Sequence, residues 1–156
     1  MERSGIKNWK RLLEWREKML VKEIMSKQLV TLNADSKLGF AEDIMYLGRI
    51  RHLPVVNGKE IVGILTQRDL YKASLTSIVT NWEENKTFLD SVKVAEVMTK
   101  NVVAISPDTT IEDAAQIMID KKVGCLPVVE DKNTLLGLIT ETDVLQYFVH
   151  ECRKNR

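Results

Sequence analysis

Residues that break or staple a fold are scarce in this chain. Three prolines and seven glycines among 156 residues exclude a collagen-like repeat and a long flexible linker. The two cysteines, Cys125 and Cys152, have neither CxxC nor Cys/His ligand spacing, so they read as free thiols of a reducing compartment. His52 and His150 do not complete a metal site with them, and no metal is expected. No apolar run approaches the ~18 residues of a membrane-spanning helix. The opening residues Met1–Lys7 lead into charged sequence rather than an apolar core, unlike a secretory signal, so a cytoplasmic chain is expected. Net charge is only +1, which supplies no field to draw nucleic acid or an anionic membrane. No Gly-rich phosphate loop, paired catalytic carboxylates or Ser/His/Asp set stands out, so no catalytic residue is assigned. What remains is ordinary for a soluble globular chain: 44% hydrophobic and 29% charged residues, enough for one domain or two small ones packed together.

What the chain does have is an internal repeat. Val21-Lys22-Glu23-Ile24-Met25-Ser26-Lys27 returns 73 residues later as Val94-Ala95-Glu96-Val97-Met98-Thr99-Lys100. The same offset carries Asp35 to Asp108, Ala41 to Ala114, and Leu53-Pro54-Val55-Val56 to Leu126-Pro127-Val128-Val129. One inserted residue then brings Gly63-Ile64-Leu65-Thr66 onto Gly137-Leu138-Ile139-Thr140, and Asp69 onto Asp143. Two copies of one unit fill nearly all of residues 21–150.

Within each copy the elements can be read locally. Leu29–Leu32 and Val102–Ile105 are β-prone runs. Ile111, Ala114, Ala115 and Met118 trace one helical face, matched by Leu38, Ala41 and Met45, and Thr109 with Glu112 has capping-box spacing. The Leu-Pro-Val-Val segments read as strands with Pro near the start, and Asn57-Gly58 signals a hairpin turn. A second helix begins after Thr66 or Thr140. The expectation is an α/β (α+β-like) fold of two tandem β-α-β-β-α repeats, over residues 21–80 and 94–150, packed as a pseudo-two-fold pair. A polar linker spans 81–93, a basic tail covers 151–156, and residues 1–20 hold an extra amphipathic helix on which Ile6, Trp9, Leu13, Arg16 and Leu20 share a face.

The opening Val-x-Glu-(Ile/Val)-Met-(Ser/Thr), the Leu-Pro-Val-Val strand and the Gly-x-x-Thr-x-x-Asp ending, twice in that order, resemble the CBS domain. The whole chain looks like a CBS pair, or Bateman module. Thr66-x-x-Asp69 and Thr140-x-x-Asp143 serve first as helix caps. The same geometry suits a ribonucleotide: helix N–H groups and the Thr hydroxyl for phosphate, the carboxylate for a ribose diol. The resemblance implies crossed sites. One would join Ser26, Val30, Arg51, His52, Leu53 and Pro54 to Thr140 and Asp143. The other would join Thr99, Val103, Cys125, Leu126 and Pro127 to Thr66, Arg68 and Asp69.

The resemblance therefore implies a non-catalytic regulatory module that takes an adenosine nucleotide (AMP, ADP or ATP) or S-adenosylmethionine as its ligand and needs no cofactor. Expected partners are a second copy in a homodimer, built on the apolar faces at 38–45 and 111–118 with residues 6–20, and an unidentified regulated protein. Nucleic acid and membranes are not expected partners. Because Arg51-His52 in the first copy corresponds to Gly124-Cys125 in the second, site one is expected to favour the more highly charged phosphates. The rival readings are an interaction scaffold with empty or vestigial cavities, and an enzyme that turns over a nucleotide in the cleft.

Overall fold

The computed structural model describes residues 19–76, 81–131 and 133–154. The helix expected at 6–20 falls almost wholly outside them. Repeat one supplies α1 (Val21–Ile24), β1 (Leu32–Asn33), α2 (Leu38–Gly48), β2 (His52–Asn57), β3 (Glu60–Thr66) and α3 (Gln67–Thr76). Helix α4 (Trp82–Ser91) follows. Repeat two supplies α5 (Val94–Val97), α6 (Ile111–Lys121), β4 (Cys125–Glu130), β5 (Thr134–Thr140) and α7 (Glu141–Lys154).

The apolar stripes of α2 and α6 were expected as helical faces, and both are buried: Leu38, Ala41 and Met45 in one, Ile111, Ala114 and Met118 in the other. This burial removes them from any dimer surface, a correction to the sequence reading. The apolar side chains that reach solvent are others, among them Phe40, Tyr46 and Leu47 on α2, Ile119 on α6, and Leu145 and Phe148 on α7. Helix α6 is capped one residue later than expected. Thr110 accepts from the Asp113 N–H at 3.1 Å while its hydroxyl donates to the Asp113 carboxylate at 2.7 Å.

Three further differences have local causes. The stretch 81–93 is mostly helix rather than linker, because Asn81 accepts from the Glu84 N–H at 2.9 Å and Leu89 is fully buried against repeat one. Of the two β-prone runs, only the last residue of each meets a strand: Leu32 pairs with Val55, and Ile105 forms a lone parallel bridge to Val128. Residues 151–154 belong to α7 and are not a tail. Pro54 and Pro127 sit third in their strands; pairing of β1 with β2 starts only at Val55, so no ladder donor is lost at Pro54.

The strands form one five-stranded sheet in the order β1-β2-β3-β5-β4. The hairpins β2–β3 and β4–β5 are antiparallel, and each shifts register at the same repeat position, Val55/Val56 and Val128/Val129. The hairpins meet where Glu60 faces Thr134, held by Ile61 N–H to the Asn133 carbonyl at 3.0 Å and Leu135 N–H to the Lys59 carbonyl at 2.9 Å. Ile61, Ile64, Cys125 and Leu138 form a small core across this seam.

The opening segments are exchanged between the repeats. Val21 N–H bonds the Thr109 carbonyl at 2.8 Å and Ser26 bridges to Leu138, so the start of repeat one lies on repeat two. Reciprocally, Val94 N–H bonds the Ser36 carbonyl at 2.8 Å and Thr99 bridges to Ile64. Val21 is buried among Leu126, Val128 and Ile139, and Val94 among Leu53, Val55 and Leu65. At each crossing a glutamate closes the short helix: Glu23 accepts from Leu20 N–H at 2.7 Å and Glu96 from Lys93 N–H at 2.8 Å. Glycine makes the approach possible. A Cβ at Gly137 would lie 2.7 Å from the Met25 sulfur and 2.9 Å from the Ser26 carbonyl oxygen, and at Gly63 it would lie 3.1 Å from the Thr99 carbonyl oxygen.

Candidate functional site: two cavities with a common wall

Both Thr-x-x-Asp tetrads sit where a strand turns into a helix, β3 into α3 and β5 into α7. Thr66 donates its N–H to Asp69 Oδ2 at 2.9 Å and its hydroxyl to the same oxygen at 2.7 Å, while Asp69 N–H reaches Thr66 Oγ1 at 3.3 Å. Thr140 and Asp143 repeat this at 2.7, 2.8 and 3.4 Å. These bonds divide the chemistry. Each Thr hydroxyl has one proton and spends it on Asp, so it must rotate before it can donate to a phosphate. Each Asp keeps Oδ1 outside these bonds, free to accept from a ribose hydroxyl.

The tetrads border two cavities. The first, about 320 Å³, is lined by Ser26, Val30, Arg51, His52 and Pro54 together with Thr140 and Asp143. The second, about 550 Å³, is lined by Thr99, Val103 and Cys125 together with Thr66, Arg68 and Asp69. Each cavity therefore takes its opening segment from one repeat and its tetrad from the other. Leu53 and Leu126 do not line either cavity: both are fully buried in the hydrophobic cores. Pro127 is also buried and lies outside the lining of the second cavity. For the two leucines the reason is strand alternation, which turns them to the face opposite their cavity-lining neighbours His52 and Cys125.

Sequence reasoning missed Gln28 and Thr142 in the first cavity, and Tyr71, Lys72, Asn101 and Lys122 in the second; Arg49, which forms a basic cluster with Arg51 and His52 in the sequence, also lines the first cavity. Lys72 and Tyr71 fall one turn beyond the tetrad on α3, a helical spacing that could have flagged them. Lys122 is the left-handed residue ending α6, φ 54°, and carried no such signal. These residues reverse the expected charge difference. Arg51, Arg68, Lys72 and Lys122 face Asp69 and Glu141 in the second cavity, whereas Arg49 and Arg51 face Glu141 and Asp143 in the first.

Arg51, His52, Gly124 and Glu141 line both cavities and so form their common wall. Backbone pairing builds it symmetrically, with Gln67 N–H on the Arg51 carbonyl at 3.0 Å and Glu141 N–H on the Gly124 carbonyl at 3.1 Å. A Cβ on Gly124 would meet His52 Nε2 at 3.1 Å and Glu141 Oε2 at 3.5 Å. Burial holds the His52 imidazole below its ordinary pKa, and the Arg51 charge lowers it further against the opposing pull of Glu141 and Asp69. Burial likewise pushes the Cys125 thiol up to about 12, with Glu141 adding to the effect. Such a thiol is wall rather than nucleophile.

A family model described as CBS domain matches residues 21–76 and 94–150, the two repeats in turn. The chain belongs to the CBS-domain family. A CBS domain-containing protein of Dictyostelium discoideum is 36% identical over 136 residues, covering 85% of this chain and 92% of that protein. Inosine-5'-monophosphate dehydrogenase of Methanocaldococcus jannaschii is 38% identical over 125 residues, but this CBS pair spans only 22% of that enzyme's length. Among solved structures, the CBS domain pair of protein MJ0100 in complex with 5'-methylthioadenosine and S-adenosyl-L-methionine superposes with a TM-score of 0.73 at 29% identity, covering 85% of this chain and 98% of that one. Among the described residues no helix is long and apolar enough to cross a membrane.

Proposed function

We propose that this CBS pair is a non-catalytic regulatory module whose two cavities bind adenosine-type ligands: AMP, ADP, ATP or S-adenosylmethionine. The observation that carries the reading is the crossed construction of both cavities, each bringing a helix-capping Thr-x-x-Asp of one repeat against the opening segment of the other. Asp69 and Asp143 accept the ribose diol through Oδ1, and apolar neighbours such as Val30 and Val103 take the base. The adenosyl ligands of the MJ0100 pair support the same chemistry. Cationic lining makes the second cavity the better host for phosphate chains, and its affinity falls more steeply with salt. The first cavity, with balanced charge, suits ligands carrying little net charge.

Thermal shift against AMP, ADP, ATP, adenosine and S-adenosylmethionine tests the proposal, because a ligand that binds only the native state raises its melting temperature. Calorimetry on Asp69→Ala and Asp143→Ala follows. Loss of the charge-assisted diol contact weakens binding by about 1.5–3 kcal/mol, with stability measured alongside because the same carboxylates cap α3 and α7. Unchanged affinity in the folded double variant removes the assignment, and no shift with any of these compounds leaves the scaffold reading. The exposed apolar residues of α2 and α7 support assembly with a second copy, which sedimentation analysis decides.

A further inference from the structure

We infer that the two cavities are negatively coupled toward phosphate-bearing ligands, because both draw on the single guanidinium of Arg51. The inference rests on the nucleotide reading above and goes beyond it. The repeat relates Arg51 to Gly124, so a symmetric pair would hold two guanidinium groups at this wall, and this chain holds one. The missing side chain also opens the wall: a Cβ at Gly124 would press on His52 and Glu141, which now face both cavities. Other cations are private, with Arg49 on the first cavity and Arg68, Lys72 and Lys122 on the second. Among the described residues no hydrogen bond or ion pair ties down the Arg51 side chain, while its carbonyl, bonded to Gln67 N–H at 3.0 Å, fixes the backbone. The guanidinium is therefore free to turn to either side.

The sign follows from charge. A phosphate bound in the second cavity takes the guanidinium and places its own negative charge beside Glu141. A phosphate entering the first cavity then meets two anions at the wall and a cation already committed. Neutral adenosine carries no such charge and leaves Arg51 untouched. Coupling of this kind is reciprocal between the sites.

Calorimetric titration with ATP and with adenosine tests this on the full chain. Val103→Trp fills the second cavity, so its single ATP step reports the first cavity alone. That step should be tighter than the second ATP step of the unmodified protein by about fivefold or more. The ratio should fall to near one with adenosine, and with ATP in the Arg51→Gln background. Thr99→Trp, on the exposed rim of the same cavity, replaces Val103→Trp if that variant does not fold. A ratio near one for ATP with Arg51 present overturns the coupling while leaving nucleotide binding intact. An equal ratio for adenosine also overturns it, since the coupling would then run through shape. Absence of binding by both compounds overturns the nucleotide reading and the coupling with it.

Discussion

His52 sits at the most consequential position in the common wall, and its protonation has a definite sign. Its folded-state pKa lies below the ordinary value because burial and Arg51 disfavour the imidazolium. The unfolded chain therefore binds this proton more readily than the folded one once pH drops below about 6.5. Stability is full above that pH and declines as pH falls toward the folded pKa. Chemical denaturation at a series of pH values should show the decline setting in below about pH 6.5, ahead of most carboxylates, and His52→Gln should flatten it. An identical profile in the variant would show that His52 does not contribute. A second residue-scale expectation concerns the thiols. With Cys125 buried and Cys152 exposed, iodoacetamide near neutral pH should add one adduct to the folded protein, at Cys152. Two adducts would contradict the burial of Cys125. At this scale the site was partly legible. Arg51 and His52 stood out beside Leu-Pro, but their exposure to both cavities depends on a side chain Gly124 lacks, a contact between repeats that no local pattern records.

At the scale of elements, two sequence motifs prove to be complementary parts of one joint. The Glu-(Ile/Val)-Met-(Ser/Thr) opening of each repeat lies over the glycine of the Gly-x-x-Thr ending of the other, Met25 on Gly137 and Met98 on Gly63. Gly137→Ala should destabilise the protein by about 1–3 kcal/mol, since the Ser26 carbonyl cannot withdraw without lifting the exchanged segment. Gly58→Ala, in the β2–β3 turn, meets no atom and carries only the strain of a positive φ of 62°. Comparing thermal melts of the two separates crowding from backbone strain, and equal small losses would refute the tight joint. Helices α2 and α6 were readable because three buried positions recur at helical spacing. Helices α1 and α5, of four residues each, are too short to display a period, and their form is set by contacts with the other repeat. Helix α4 was hidden in polar sequence because Leu89 is its only fully buried side chain among the described residues.

For the whole molecule, the exchange ties both cores to both halves of the chain. Melting repeat one removes Val94 from its surroundings, and removing the start of repeat one uncovers Leu126, Val128 and Ile139. Calorimetry should therefore record a single transition, with calorimetric and van't Hoff enthalpies equal. Two separable transitions would mean that the crossing contributes little. The repeat was plain in the sequence at offsets of 73 and 74 residues, and so was the sheet-and-helix composition of each copy. The exchange was implied only by the family resemblance, through its crossed sites, because an offset relates equivalent positions and carries no record of which copy each one touches.

The exchanged openings also bear on what one repeat could do alone. The stretch that repeats is not the stretch that folds: a lone copy holds an opening segment with nowhere to lie and a hairpin whose glycine faces solvent. Only another copy supplies both remedies at once, so a single repeat would have to pair with a second chain and trade first turns with it. Carrying both copies on one chain makes the trade permanent, and lets the copies differ at the one wall they share, where an arginine answers a glycine.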